Sequence, residues 1–228
     1  MLKKKSFDLV ELDSNVSVFN KAQWYRLMKW KDDKINTGIR NLDYAFESLS
    51  GFCTRLDLDD SVKNRVVDVY DECFEHGLLK GRSVEVLMGT CVYVGLRLEG
   101  VARTSSEVAE VCKITEKEIL RTTRIICKEL NIRLPLVSPK DFIPRFCNSL
   151  GVSDIVQTRA LELVEDCEVA GLCNGPSPAS ICAVCLYVAC LECSERRTQR
   201  DIGEVCGVTD VTIRNLLRKV KDKLDIIL

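Results

Sequence analysis

The sequence predicts an all-α protein built from two tandem five-helix repeats, the second ending in a helix-turn-helix. Three observations predict it. Residues 52–130 lie on 146–224 without a gap, and 23 of the 79 paired positions are identical. Apolar residues recur at spacings of three and four, as in Val62, Val66, Val69 and Cys73, and almost no stretch alternates with period two. Hydroxyl residues followed three places later by an acid mark several segment starts, the pattern of a capping box. A repeat this long is a whole small domain rather than a solenoid unit.

Taken in order, residues 1–39 form an irregular N-terminal segment of mixed charge, with an aromatic and basic stretch at Trp24-Tyr-Arg-Leu-Met-Lys-Trp30-Lys. Repeat 1 spans 40–133, with helices expected near 40–55, 59–75, 82–98, 104–112 and 115–130. A joint carrying Pro135 and Pro139 follows. Repeat 2 spans 139–228, with helices expected near 139–149, 153–169, 177–193, 198–206 and 209–224. Asp59 and Ser153 stand where N-caps of the second helices belong. Gly77 and Gly171 follow the ends of those helices, where a left-handed residue is wanted. The third helix of each repeat is nearly all apolar and is the expected buried centre of its bundle. Thr104-Ser-Ser-Glu107, Thr115-Glu-Lys-Glu118 and Thr198-Gln-Arg-Asp201 are capping boxes opening the later helices.

The totals narrow the function. At 228 residues the chain has the length of two ordinary domains, and no apolar run approaches a membrane span. The basic start has no apolar stretch behind it, so it is not a signal peptide. Net charge is -1, but it is unevenly spread. Residues 57–79 carry seven acids against Lys63 and Arg65, whereas 196–224 carry eight bases against four acids. The chain has one histidine, His76, beside Gly77 at a helix end, where capping accounts for it. With no nucleophile motif and no glycine-rich phosphate loop, the chain is not expected to be an enzyme.

The 13 cysteines point to a reducing compartment. Four recur in both repeats, at 53/147, 73/167, 91/185 and 112/206, as core positions do. The spacing Cys182-x-x-Cys185-x4-Cys190-x-x-Cys193 resembles a metal cluster. It lies inside an apolar helical run, however, and repeat 1 has Met88, Cys91, Leu96 and Glu99 at those places. Core packing is therefore the expectation, with no metal and no cofactor.

The most informative segment is Arg197-Thr-Gln-Arg-Asp-Ile-Gly-Glu-Val-Cys-Gly207-Val-Thr-Asp-Val-Thr-Ile-Arg-Asn-Leu. A short helix, a turn at Gly207 and a longer helix capped by Thr209 make a helix-turn-helix. In that motif the start of the second helix faces base edges in the major groove. Here those residues are Asp210, Val211, Thr212, Arg214 and Asn215, with Ile213, Leu216 and Leu217 on the buried side. Arg214 suits a guanine edge, and Val211 suits a thymine methyl. Arg218, four residues on, suits phosphate. So do Arg197, Thr198 and Gln199 at the start of the first motif helix. Repeat 1 offers Lys117, Glu118, Leu120 and Arg121 at the matching places, a poorer set for reading bases.

These residues carry a resemblance. Gly81-Arg-Ser83, Val101-Ala-Arg-Thr-Ser-Ser-Glu-Val-Ala-Glu-Val111, Lys117-Glu-Ile119 and residues 197–215 closely resemble the core of the transcription initiation factor IIB family, including its archaeal counterpart, factor B. The likeness covers about residues 40–226. It implies two cyclin-like repeats that bind a TATA-binding protein on bent promoter DNA and contact RNA polymerase. It implies that Val211 and Arg214 read the element upstream of the TATA box. It places Glu99, Gly100 and Val101 in the minor groove downstream. Residues 24–42 resemble the end of the family's linker, so Trp24, Arg26, Lys29 and Trp30 are the expected polymerase contacts.

Two departures stand out. No cysteine precedes Cys53, so the family's N-terminal zinc ribbon is expected to be absent, and Ala102 stands where the family commonly has proline. The expected partners are promoter DNA, TATA-binding protein and RNA polymerase, with no membrane and a monomeric free state. The expected location is the cytoplasm for an archaeal protein and the nucleus for a eukaryotic one. The alternatives are a cyclin-type module that activates a kinase or serves as a scaffold, and a ribbon-less paralogue that competes with the basal factor.

Overall fold

A computed structural model of the chain describes residues 48–225. Their regular structure is all helical, with no strand among the described residues. The first helix, α1, is described over 48–56. There follow α2 (Asp60–Glu75), α3 (Val84–Leu98), α4 (Ser105–Cys112) and α5 (Glu116–Glu129). The second repeat holds a 3-10 turn (Pro139–Phe142), α6 (Ile143–Leu150), α7 (Asp154–Val169), α8 (Pro178–Glu192), α9 (Gln199–Cys206) and α10 (Asp210–Leu224). The chain divides into two compact units. Among the described residues, one unit holds residues 48–99 and 105–134; the other holds residues 100–104 and 135–225. No described helix is long and apolar enough to cross a membrane.

Each unit is organised around its third helix. In the first, α3 packs on α2, α4 and α5; in the second, α8 packs on α7, α9, α10 and the 3-10 turn. Ten consecutive residues of α3, from Leu87 to Leu96, are buried. In α8 all of Ser180–Cys190 except Tyr187 are buried. Such helices bury apolar surface on every side, which accounts for the lack of amphipathic patterning in their sequences. The two arginines that occupy the same place on α2 and α7 tie the end of the central helix to its neighbour. Arg65 Nε bonds Glu99 at 2.8 Å, and Arg159 Nε bonds Glu192 at 2.6 Å.

Several helix starts follow the local signals, and three depart from them; the start expected near residue 40 lies outside the described residues. Thr115 and Glu118 close a full capping box on α5, as Thr198 and Asp201 do on α9. Ser83 and Ser177 cap the central helices. Asp59 and Ser153 occupy N-cap positions with extended backbone but make no side-chain cap bond. The helix expected over 139–149 is two pieces. Pro144 has no N–H to give the Lys140 carbonyl, so the Ile143 N–H takes it one residue early, in a 3-10 bond. At the ends of α2 and α7, Gly77 and Gly171 are left-handed. The next N–H of each, Leu78 and Leu172, returns to Cys73 and Cys167. His76 caps α2 through its N–H to the Glu72 carbonyl.

Candidate nucleic-acid interface

The last two helices of repeat 2 are joined by a turn of three residues, Gly207–Thr209. α9 ends at Gly207, which is left-handed at φ 65, and its N–H returns to Gly203. The Val208 N–H also bonds the Gly203 carbonyl, at 2.9 Å. Thr209 then caps α10 by accepting the Thr212 N–H. The turn closes tightly on Gly203, since a Cβ built there would lie 2.5 Å from the Val208 carbonyl oxygen. Sequence reasoning did not single out Gly203. A glycine inside a helix between two buried apolar positions is the signal that finds it.

On α10, Ile213, Leu216, Leu217 and Val220 are buried against the repeat 2 core. Val211, Thr212, Arg214, Asn215 and Arg218 are all exposed. Positions 211, 214, 215 and 218 follow helical spacing, so they share one solvent face. Val211 is 53% exposed and is one of few large apolar side chains in that condition among the described residues. A valine kept in water beside an arginine has the chemistry to meet a thymine methyl and a guanine edge. Arg214 Nη2 holds Asp210 Oδ2 at 3.0 Å, and Arg218 makes no ion pair among the described residues.

At the start of α9 the residues have divided roles. The Arg197 guanidinium donates to the carbonyls of Leu150, at 3.3 Å, and Gly151, at 3.2 Å. It thereby satisfies the carbonyl end of α6, where a cation is favoured by the helix dipole. Thr198 and Asp201 face each other in their capping box, and the Thr198 hydroxyl and N–H hold the Asp201 carboxyl below its ordinary range. Gln199 is half-buried, while Arg196 and Arg200 are exposed.

In repeat 1, Glu99 ends α3 and its carboxylate accepts from Ser61 and Arg65, which hold it below the ordinary carboxylate range. Gly100 is left-handed at φ 71, and Val101 is half-buried. Trp24, Arg26, Lys29 and Trp30 lie outside the described residues.

The cysteines of α8 sit in the core. Cys182, Cys185 and Cys190 are buried, and Cys193 caps the helix end. Burial pushes the Cys190 thiol up to about 11 and the Cys182 thiol well above its usual value. Metal ligation requires thiolates, which this environment disfavours. No group of three or more metal-ligating side chains is arranged around a common point among the described residues.

The geometry thus defines a class: a tandem helical-repeat protein whose second repeat presents a capped helix with an arginine–valine face. The profile of the transcription factor TFIIB repeat matches residues 39–129 and 132–223. Transcription initiation factor IIB of Archaeoglobus fulgidus is 41% identical over 213 residues, 92% of this chain and 65% of that protein. The same factor from Methanoculleus marisnigri is 38% identical, over 92% of this chain and 63% of that protein. Transcription initiation factor IIB 1 of Thermococcus kodakarensis is 36% identical over 221 residues, 95% of this chain and 74% of that protein. The chain belongs to the TFIIB repeat family, a family of transcription factors and not of enzymes. It spans just under two thirds of the length of the first two relatives.

Among solved structures, a viral cyclin from herpesvirus saimiri matches 84% of this chain and 86% of its own, at 21% identity and TM-score 0.35. A CAK complex from Chaetomium thermophilum matches 95% of this chain and 76% of its own, at 16% identity and TM-score 0.37.

Proposed function

We propose that this chain is the promoter-binding core of a transcription initiation factor. It joins a TATA-binding protein on promoter DNA, reads the element upstream of the TATA box with α10, and helps position RNA polymerase. The observation that supports this most is the solvent face of α10, where Val211, Arg214, Asn215 and Arg218 stand together on a helix fixed by the Thr209 cap. Membership of the TFIIB repeat family supports the same reading.

In this reading Arg214 donates to a guanine edge and Val211 meets a thymine methyl, while Thr212 and Asn215 contact neighbouring edges. Arg218, Thr198 and Gln199 meet phosphate and set the register. Arg197 acts indirectly, fixing the start of α9 against the end of α6. Glu99, Gly100 and Val101 approach the minor groove on the downstream side. Pairing of Glu99 with Arg65 reduces its repulsion from phosphate. Trp24, Arg26, Lys29 and Trp30 contact the polymerase.

The test is complex formation on duplex DNA. The chain alone binds weakly, because its net charge is -1. With TATA-binding protein it forms a ternary complex on TATA-containing duplex, and the affinity falls as salt rises. A complex that forms equally well on DNA lacking a TATA-like element sinks the proposal, as does a complex that never forms.

A further inference from the structure

The first residue of the last helix is an acid in both repeats, and its partner differs. In repeat 1 it is Glu116, whose carboxylate accepts from the Ser105 hydroxyl at 2.6 Å, back on α4. In repeat 2 it is Asp210, and Gln199 replaces the serine. Asp210 pairs forward along its own helix, with Arg214 at 3.0 Å. Repeat 1 has Leu120 where Arg214 stands, so no such pair is available there. The acid therefore closes the motif in repeat 1 and holds the arginine in repeat 2.

Both members of the Asp210–Arg214 pair are half-exposed. An exposed pair four residues apart adds little to fold stability. Its consequence is orientation. A guanidinium is a rigid plane with five N–H donors, and one edge on Asp210 leaves others for a second acceptor. An arginine on a free side chain must be ordered when it meets a base; one already held loses less freedom. A carboxylate at this place also opposes phosphate, so a docking register that parts it from Arg214 is penalised.

We infer that Asp210 is a positioning residue for sequence reading: it holds the Arg214 guanidinium over the exposed face of α10 before DNA arrives. The inference rests on the proposed reading of α10 as the helix that faces bases.

The experiment uses the full chain with TATA-binding protein and TATA-containing duplexes whose upstream flank is randomised. Sequencing the bound fraction defines a matched flank, and affinities are then measured on matched and scrambled duplexes. The proteins compared are the parent, Arg214→Ala, Asp210→Asn and the double variant. Arg214→Ala lowers the matched-to-scrambled ratio about tenfold or more. Asp210→Asn lowers it about threefold and tightens binding to the scrambled duplex, because one negative charge is gone. In the Arg214→Ala background Asp210→Asn lowers the ratio no further. A purely structural role for Asp210 weakens both duplexes alike and overturns the inference. So does a full ratio in Asp210→Asn when Arg214→Ala has lost it, an outcome that leaves the reading of α10 standing. If Arg214→Ala keeps the ratio, the reading of α10 fails and takes the inference with it.

Discussion

The closing helix pairs of the two repeats make the same turn from different residues. In both, an N–H two places beyond the end of the first helix returns to the same carbonyl position. Ile114 bonds Ala109 at 3.0 Å, and Val208 bonds Gly203 at 2.9 Å. Repeat 1 puts Lys113 in the left-handed region, at φ 55, and repeat 2 puts Gly207 there, at φ 65. A lysine in that region carries a backbone cost that glycine avoids. Repeat 1 accommodates a Cβ at position 109, whereas repeat 2 leaves none at 203. The central helices differ by compensation. A Cβ on Gly95 of α3 would lie 2.7 Å from Val66 Cγ2. Repeat 2 has Ala189 there and answers with Ala160 in place of the valine. One fold thus tolerates several packings, provided that size is exchanged between facing positions. The tighter turn belongs to the repeat whose last helix presents Arg214 and Val211.

That comparison can be broken most forcefully at Gly203. Gly203→Ala meets a backbone oxygen, which cannot rotate away, and is expected to destabilise repeat 2 by about 3 kcal/mol. The reverse change in repeat 1, Ala109→Gly, should cost about 1–2 kcal/mol, through backbone entropy and the loss of one buried methyl. Denaturant unfolding with amide exchange resolved by repeat separates the two. Equal penalties would show that the turns are not differently packed.

A smaller effect tests the exchange of size. Val66→Ala leaves a void and Gly95→Ala overfills the same contact, each costing about 1–3 kcal/mol. The double variant copies the Ala160/Ala189 pair and should recover at least about 1 kcal/mol of the summed loss. Strict additivity in the double-mutant cycle would mean that the two positions do not compensate.

The smallest effect distinguishes the caps of the last helices. Thr209→Ala removes the cap of α10 and should cost about 1 kcal/mol at any pH. Thr115→Ala also breaks a box whose carboxylate, Glu118, is held below its ordinary range by the Thr115 hydroxyl and N–H. A carboxyl depressed in the folded state contributes stability above its unfolded value, about 4.3, and loses it as pH falls through the folded one. The Thr115→Ala penalty should therefore shrink below about pH 4 while that of Thr209→Ala stays level. Parallel melting curves of the two variants across pH would remove the distinction.

Much of the fold was legible because its signals are local. The ungapped duplication, the period of three to four, the apolar third helices and the Thr115 and Thr198 boxes each depend on residues near in sequence. The exposed face of α10 followed from Ile213, Leu216 and Leu217 taking the other side. Asp59 and Ser153 took their N-cap positions without a side-chain bond, and the helix from 139 split after Phe142, where the N–H that Pro144 lacks decides the geometry. Only the tertiary structure showed that Arg197 spends its donors on the carbonyls of Leu150 and Gly151. The same is true of Gly203, made indispensable by a carbonyl five residues away, and of Asp210, which turns to Arg214 where Glu116 turns to Ser105. Periodicity and capping are set by the chain's own neighbours, so sequence alone determines them. A side chain's choice among partners depends on which groups the fold brings within hydrogen-bond reach across a turn or between helices, and only the folded chain sets that.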